Sequence, residues 1–153
     1  MKFVNSYSIH HGVDEWKRRN LFDWATDLFA VPNIEVKYGC TSTIRSHLKE
    51  ELTNAGWAYS VRIAPQYDLT VTGVYRDAAF QIQTGNIARA IYDLMKLQYL
   101  YHEKKIQTAA IAVPTKAAAA LIGSNVAHDD RLWGELQLFD RIITVPLMVI
   151  SFE

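Results

Sequence analysis

The sequence is poor in the residues that hold small secreted or metal-bound folds together. It has 153 residues and one cysteine, Cys40, which excludes an internal disulfide and a multi-cysteine zinc site. Its four prolines and seven glycines are scattered, which indicates turns rather than linkers or repeats. No apolar run approaches the roughly 20 residues that cross a bilayer, and no signal-peptide block follows the first residues. We therefore expect a single domain over residues 1–153, without a membrane segment, in the reducing cytoplasm.

The chain also lacks a net charge of one sign. Sixteen lysine and arginine residues balance sixteen aspartates and glutamates, which argues against non-specific nucleic-acid binding by the whole surface. The distribution is uneven, because residues 86–116 carry five basic and two acidic residues, whereas residues 117–153 carry two basic and five acidic ones. A DNA groove would have such a local excess of positive charge. An ordinary charged helix surface would have it too.

Hydrophobic periodicity predicts helices and strands in an order typical of one fold class. Helices are expected over 14–29, 42–55, 86–102, 116–123 and 129–138, a hairpin over 67–72 and 79–83, and strands over 108–113 and 141–150. The proline at position 146 favours an edge or a bulge in the last strand. This order predicts an α/β fold with a mixed sheet flanked by helices.

The predicted hairpin gathers polar residues on one face. If the turn lies at 73–76 and Thr72 faces Asp77, then Asp68 faces Gln81, with Gln83 one diagonal step away. Mg²⁺-dependent phosphodiester hydrolysis commonly uses an aspartate on one strand and a Glu-x-Lys, Glu-x-Glu or Glu-x-Gln motif on its neighbour. The spacing fits that arrangement with one carboxylate missing. The solvated face of an ordinary hairpin would have the same pattern.

The segments that follow the hairpin form an ordered series. They are QIQTGNIAR at 81–89, YDLMKLQ at 92–98, IAVPT at 111–115, GSNVA at 123–127 and IITVP at 142–146. This series resembles the catalytic half of the BglII/BamHI-like type II restriction endonucleases, in which a Glu-x-Glu/Gln-Phe-Gly-Asn stretch opens the long helix. The resemblance covers about residue 42 to the end of the sequence.

The resemblance implies a PD-(D/E)XK nuclease core, a homodimer on palindromic double-stranded DNA, and cleavage by Mg²⁺-activated water. Carried over position by position, it makes Asp68 the shared metal ligand and places Gln81 where a glutamate ligand belongs. Gln83 stands where the third motif residue orients water or metal. An acidic residue on the preceding helix completes some sites of the family, and the inward edge of that helix favours Glu51 over Glu50. Glu51 would otherwise be a surface carboxylate.

The departure at position 81 bears directly on activity. A neutral amide lacks the charge that holds a divalent cation, so we expect an endonuclease impaired as written. An engineered Glu→Gln change and a naturally degenerate site both explain it, and the intact remainder of the pattern favours the engineered change. Gln81→Glu should create or restore Mg²⁺-dependent cleavage, whereas a naturally degenerate site with further lesions would stay inactive after this one change. The alternatives are a catalytically inactive module for DNA binding or dimerisation and a structural protein without DNA affinity.

Four residues are candidates for DNA contact. Asn86 and Arg89 open the long helix after the hairpin and would reach the major groove. Thr115 and Lys116 begin another helix, whose N-terminus would suit a phosphate. Each has an alternative role: Asn86 and Thr115 as N-caps, and Arg89 as an ion-pair partner of Asp93 four residues on.

Overall fold

The computed structural model describes residues 1–153, with a six-stranded mixed sheet at the centre. The strands are β1 (Phe3–Ile9), β2 (Ala58–Ala64), β3 (Leu69–Tyr75), β4 (Ala78–Ile82), β5 (Thr108–Pro114) and β6 (Leu147–Phe152). Their order across the sheet is β1-β6-β5-β4-β3-β2. Pairing is parallel between β4 and β5 and between β5 and β6, and antiparallel elsewhere. The predicted α/β class with a mixed sheet is confirmed.

Helices cover both faces of this sheet. They are α1 (Gly12–Arg18), α2 (Phe22–Asp27), α3 (Thr41–Asn54), α4 (Ile87–His102), α5 (Lys116–Ile122) and α6 (Asp129–Leu138), with a 3-10 turn at Pro65–Tyr67. Helices α1, α2, α3 and α5 share one apolar core with the sheet, and α4 and α6 share the other. None of them combines the length and the apolar character of a membrane span.

The three central strands are the most deeply buried elements. Every residue of β4, β5 and β6 is buried, because helices pack against both faces of the sheet. A strand buried on both faces is apolar throughout rather than alternating. Large side chains fill the space on either side, with Phe29, Phe80 and Phe152 in one core and Leu94 and Leu132 in the other. Each such side chain contributes about 1.5–3 kcal/mol through burial.

Three predictions about the elements need correction. The helix expected over 14–29 is two helices, because the chain turns at Asn20 with a left-handed φ of 56°. The last strand begins only after Pro146, whose carbonyl accepts a hydrogen bond from the Ala109 N–H at 2.9 Å. This strand, β6, lies inside the sheet rather than at its edge. The real edge strands, β1 and β2, were not predicted.

The hairpin of β3 and β4 exists, but its predicted register is wrong. Gly73 pairs with Phe80, which places Thr72 opposite Gln81. Asp68 therefore lies four residues before Thr72, the residue that faces Gln81. The predicted Asp68–Gln81 pair does not form.

Packing on Gly73 explains the register. A Cβ at this position would lie 3.2 Å from a methyl carbon of Leu52 and 3.3 Å from the Trp57 ring, so glycine here leaves room for Leu52 of α3 and for Trp57, which precedes β2. The turn consists of Arg76 and Asp77, and Arg76 adopts the left-handed φ of 52°. The turn therefore lies about two residues later in the chain than the sequence pattern predicted.

Arg19, the residue that follows α1, holds this turn in place. The Arg19 guanidinium donates to both carboxylate oxygens of Asp77, at 3.0 and 2.6 Å, and also binds Glu15. Its side chain is only 15% exposed. Hydrogen bonds from Arg19 hold the pKa of Asp77, and likewise the pKa of Glu15, below the ordinary value. We call this the closed end of the hairpin.

Candidate functional site

A cavity of about 490 Å³ lies at the other end of the hairpin, where the pairing of β3 with β4 stops. We call this region the open end. Its walls come from β2, β3, β4, α4, the loop between β4 and α4, and a single residue of α3. Three cationic side chains and one carboxylate line it: Arg45, Arg89, Lys96 and Asp93. The remaining polar lining consists of hydroxyl and amide groups.

The sheet opens here because the backbone pairing of β3 is interrupted at Thr72 on both sides, toward β2 and toward β4. Ser60 of β2 has a left-handed φ of 53°, and the β2–β3 pairing skips it and Thr72. The Thr72 N–H donates to the Gln81 side-chain Oε1 at 3.0 Å, and the Ile82 N–H donates to the Thr72 hydroxyl at 3.1 Å. Side chains thus replace backbone partners on both strands. Backbone strain of this kind concentrates at functional sites, which makes the open end the first candidate for one.

Gln81 is held by the protein through both ends of its amide. Its Oε1 accepts from the Thr72 N–H and hydroxyl, the latter at 3.3 Å, and its Nε2 donates to the Ile82 carbonyl at 3.3 Å. The residue is only 8% exposed. Gln81 therefore bridges the gap between the diverging strands. Its oxygen is already engaged by two donors.

Gln83 belongs to a second network that includes the only carboxylate of the cavity. Its Nε2 donates to Asp93 Oδ2 at 2.7 Å, and Lys96 Nζ lies 2.6 Å from the other carboxylate oxygen. Lys96 also donates to the Thr70 carbonyl at 2.7 Å. Asp93 is thus neutralised by Lys96 and not by Arg89, so the Arg89–Asp93 ion pair considered from the sequence is wrong. Arg89 and Arg45 make no salt bridge.

The structure does not bring the predicted metal ligands together. Asp68 follows the 3-10 turn at a left-handed φ of 52°, its side chain is 79% exposed, and it lies 3.3 Å from Arg62. It does not line the cavity, because the register shift moves it out of reach of Gln81. Glu51 is half-buried on α3 and is also absent from the lining. The residue that α3 directs to the cavity is Arg45.

The cavity fits a divalent cation poorly. Restriction endonucleases generally use a divalent metal, and Mg²⁺ prefers carboxylate oxygens. The one carboxylate here, Asp93, already binds Lys96 and Gln83 through its two oxygens. The two residues that face each other across the hairpin, Thr72 and Gln81, are both neutral. No metal-dependent step can be assigned to these side chains.

A second acidic cluster lies at the start of α6. Ligand atoms of His128, Asp129 and Asp130 lie within 4.8 Å of one another. However, Asp129 Oδ1 accepts from the N–H groups of Lys116, at 3.1 Å, and Asp130, at 2.9 Å. His128 Nδ1 accepts from the Arg131 N–H. Asp129 and His128 therefore serve as helix caps at the starts of α5 and α6.

The four residues predicted to contact DNA occupy two separate places. Asn86 caps α4 and accepts from the N–H two residues on at 2.8 Å, while Arg89 lines the cavity. Thr115 caps α5, and the Lys116 N–H donates to Asp129, both outside the cavity lining. The N-cap roles of Asn86 and Thr115 are confirmed. Contacts of these residues with DNA stay predictions.

Sequence reasoning missed three residues of the open end. Thr72 would have been found by placing a two-residue turn at 76–77, since aspartate is a common turn residue. Lys96 follows Asp93 by three positions, a spacing that brings helical side chains together. Arg45 carried no local signal, because its place at the cavity depends on how α3 packs on the sheet.

The comparisons with known proteins agree with this architecture. A family model described as restriction endonuclease BglII/BglIII matches residues 10–152. The crystal structure of restriction endonuclease BglII complexed with a DNA 16-mer is similar with a TM-score of 0.82 and 15% identity over 99% of this chain and 76% of that one. Free BglII is similar with a TM-score of 0.72 and 18% identity over 100% of this chain and 80% of that one.

At these identities the solved structures show a common fold, and the family model shows the family. A search of curated proteins gave no match. The resemblance drawn from the sequence, and with it the restriction-endonuclease-like core, is confirmed. The chain belongs to the restriction endonuclease BglII/BglIII family, a family of site-specific nucleases.

Proposed function

We propose that this chain binds a specific site in double-stranded DNA as a type II restriction endonuclease does, and that its Mg²⁺-dependent cleavage is impaired. The observation that carries the proposal is the family match over residues 10–152, combined with a cavity in which no carboxylate is free. The BglII–DNA complex, similar over 99% of the chain, supports DNA as the ligand.

The contact between Thr72 and Gln81 supports the impairment. A Mg²⁺ ion that activates water beside a phosphate is usually held by one or two free carboxylates. Here the two residues that face each other across the hairpin carry a hydroxyl and an amide, 3.3 Å apart. An engineered Glu→Gln change would account for position 81 alone. A neutral residue at position 72 as well favours a naturally degenerate site.

The runner-up is a module of the same family that binds DNA but has no nuclease role. The same pair of neutral residues favours it, so the two functions differ only in whether residual cleavage exists. For both we assign DNA contact to Asn86 and Arg89 beside the cavity, with Thr115 and Lys116 as a separate phosphate contact. For both we propose a homodimer on a palindromic site. The two strands of such a site are related by two-fold symmetry, so each strand is contacted by one chain of a symmetric dimer.

Selection of bound duplexes from a random library, followed by cleavage assays in Mg²⁺ and Mn²⁺, tests the proposal. We expect enrichment of one palindromic sequence, a two-fold complex by sedimentation, and little or no cleavage. Binding without sequence preference would contradict the DNA-recognition role. Rapid cleavage by the unaltered chain would contradict the impairment, and a monomer on the selected duplex would contradict the symmetric assembly.

A further inference from the structure

We propose that the cavity at the open end is a phosphate site, which holds a DNA phosphodiester by charge and hydrogen bonding without a divalent metal. The inference rests on the proposed DNA binding and specifies its chemistry. In it, the guanidinium groups of Arg45 and Arg89 supply the positive charge that a metal ion would supply elsewhere.

Lys96 is not available to a ligand. Its ammonium lies between Asp93 and the Thr70 carbonyl, at 2.6 and 2.7 Å, and its side chain is only 11% exposed. Both oxygens of Asp93 are in turn engaged, by Lys96 and Gln83. This pair therefore adds no net charge to the cavity. What remains is the charge of two arginines.

Arg45 and Arg89 are exposed, belong to different helices and line the same cavity. Neither side chain makes a hydrogen bond or a salt bridge within the protein, although sixteen carboxylates are present in the chain. Two unpaired like charges at one cavity repel each other and attract an anion. The planar guanidinium is suited to phosphate, which it binds through two parallel N–H···O bonds.

Neutral donors complete the site. The hydroxyls of Ser60 and Tyr92 line the cavity and have no partner in the protein. Ser60 occupies its left-handed conformation at this point, and Lys96 lies 5.8 Å from the centre of the Tyr92 ring. A divalent cation entering here would meet two arginines and no free carboxylate, whereas a phosphodiester would meet the unpaired guanidinium and hydroxyl donors.

The test is the affinity of the full chain for its selected duplex, measured by fluorescence anisotropy in excess EDTA and in Mg²⁺ over a range of salt concentrations. We expect affinities that agree within about two-fold after correction for ionic strength. We expect Arg45→Ala and Arg89→Ala each to weaken binding about ten-fold on every sequence tested and to reduce the log–log salt slope by about one. Arg18→Ala, an exposed arginine at the closed end, is the matched control and should change neither quantity.

The outcomes separate the two proposals. No binding of any duplex in either buffer would overturn the proposed function, and this inference with it. Specific binding that requires Mg²⁺, or that survives both arginine variants, would overturn the phosphate site alone. A loss confined to the selected sequence for Arg89→Ala would mean that Arg89 reads a base, and would also overturn the assignment.

Discussion

The two ends of the β3–β4 hairpin use arginine in opposite ways. At the closed end, Arg19 is mostly buried and binds Asp77 and Glu15. At the open end, Arg45 and Arg89 are exposed and bind no carboxylate. The same side chain thus stabilises the fold at one end of the hairpin and is free for a ligand at the other.

This difference shows that the role of a charged side chain depends on whether it has a partner within the protein, more than on which end of the hairpin it occupies. Lys96 and Asp93 lie at the open end, yet they resemble Arg19 and Asp77 because each is engaged by the other. Variants of paired charges should therefore change stability, and variants of unpaired charges should change ligand binding. The following predictions test this division between paired and unpaired charges. The first also tests whether the open end lacks cleavage because it has no free carboxylate.

The largest expected effect is a gain of activity. Thr72→Asp combined with Gln81→Glu should produce Mg²⁺- or Mn²⁺-dependent cleavage of the selected duplex, because two carboxylates would then face each other across the hairpin. Either change alone should leave cleavage at least several orders of magnitude lower, since one ligand is still missing. This revises the expectation that Gln81→Glu suffices. That expectation relied on Asp68 facing position 81, which the register excludes.

The control for that experiment is Asp68→Ala in the double variant. If Asp68 is remote from the cavity, the added substitution should leave the new cleavage unchanged. Cleavage by Gln81→Glu alone that disappears with Asp68→Ala would restore the original assignment. It would also mean that the hairpin rearranges when DNA binds.

A large loss of stability is expected from breaking the buried pair at the open end. Asp93→Asn leaves Lys96 without its carboxylate in a site where both side chains are almost inaccessible. Removal of one partner of such a pair costs about 3–5 kcal/mol. The free energy of unfolding from urea titration measures the loss. Glu50→Gln, an exposed change on α3, is the matched control, and a loss for Asp93→Asn below about 1 kcal/mol would contradict the buried-pair interpretation.

A smaller effect, dependent on pH, is expected at the closed end. Because Arg19 lowers the pKa of Asp77 and of Glu15, these carboxylates contribute stability above their ordinary pKa values near 4, and the contribution is lost as the pH falls through the lowered values. Arg19→Ala should therefore destabilise the chain at neutral pH and shrink the difference from wild type as the pH falls below about 4. Thermal unfolding between pH 7 and pH 3 measures this. A difference that is constant with pH would contradict the ionic role.

DNA affinity provides the complementary measurement on the same variant. Arg19→Ala, measured at neutral pH below its unfolding temperature, should bind the selected duplex as the wild type does. A loss as large as that of Arg89→Ala would break the division between the two ends.

The buried elements were predictable because their patterns are local. Strand β5 is a continuous apolar run, and α3 and α4 repeat apolar residues at the helix period with Asn86 as a visible cap. The edge strands β1 and β2 are only partly buried and were missed, although Tyr59, Val61 and Ile63 of β2 alternate with more exposed neighbours at the strand period. The sequence resemblance was sufficient to identify the family and the fold.

The site was less predictable because it depends on contacts distant in sequence. The register follows from Gly73 packing against Leu52 and Trp57, which no alternation of residues indicates. Arg89 and Lys96 are both correctly spaced to pair with Asp93, and only the packing of α4 on the sheet selects Lys96. Gln81 and Gln83 line the cavity, whereas Asp68 and Glu51 do not.

The most direct test of the central claim is a titration of the chain with Mn²⁺, followed by electron paramagnetic resonance, without DNA and then with the selected duplex. The unaltered chain should bind no Mn²⁺ stoichiometrically at the open end, because Thr72 and Gln81 are neutral and Asp93 is engaged. The Thr72→Asp/Gln81→Glu variant should gain one site per chain. One tight Mn²⁺ site per unaltered chain, lost on Asp68→Ala or Glu51→Ala, would contradict the account.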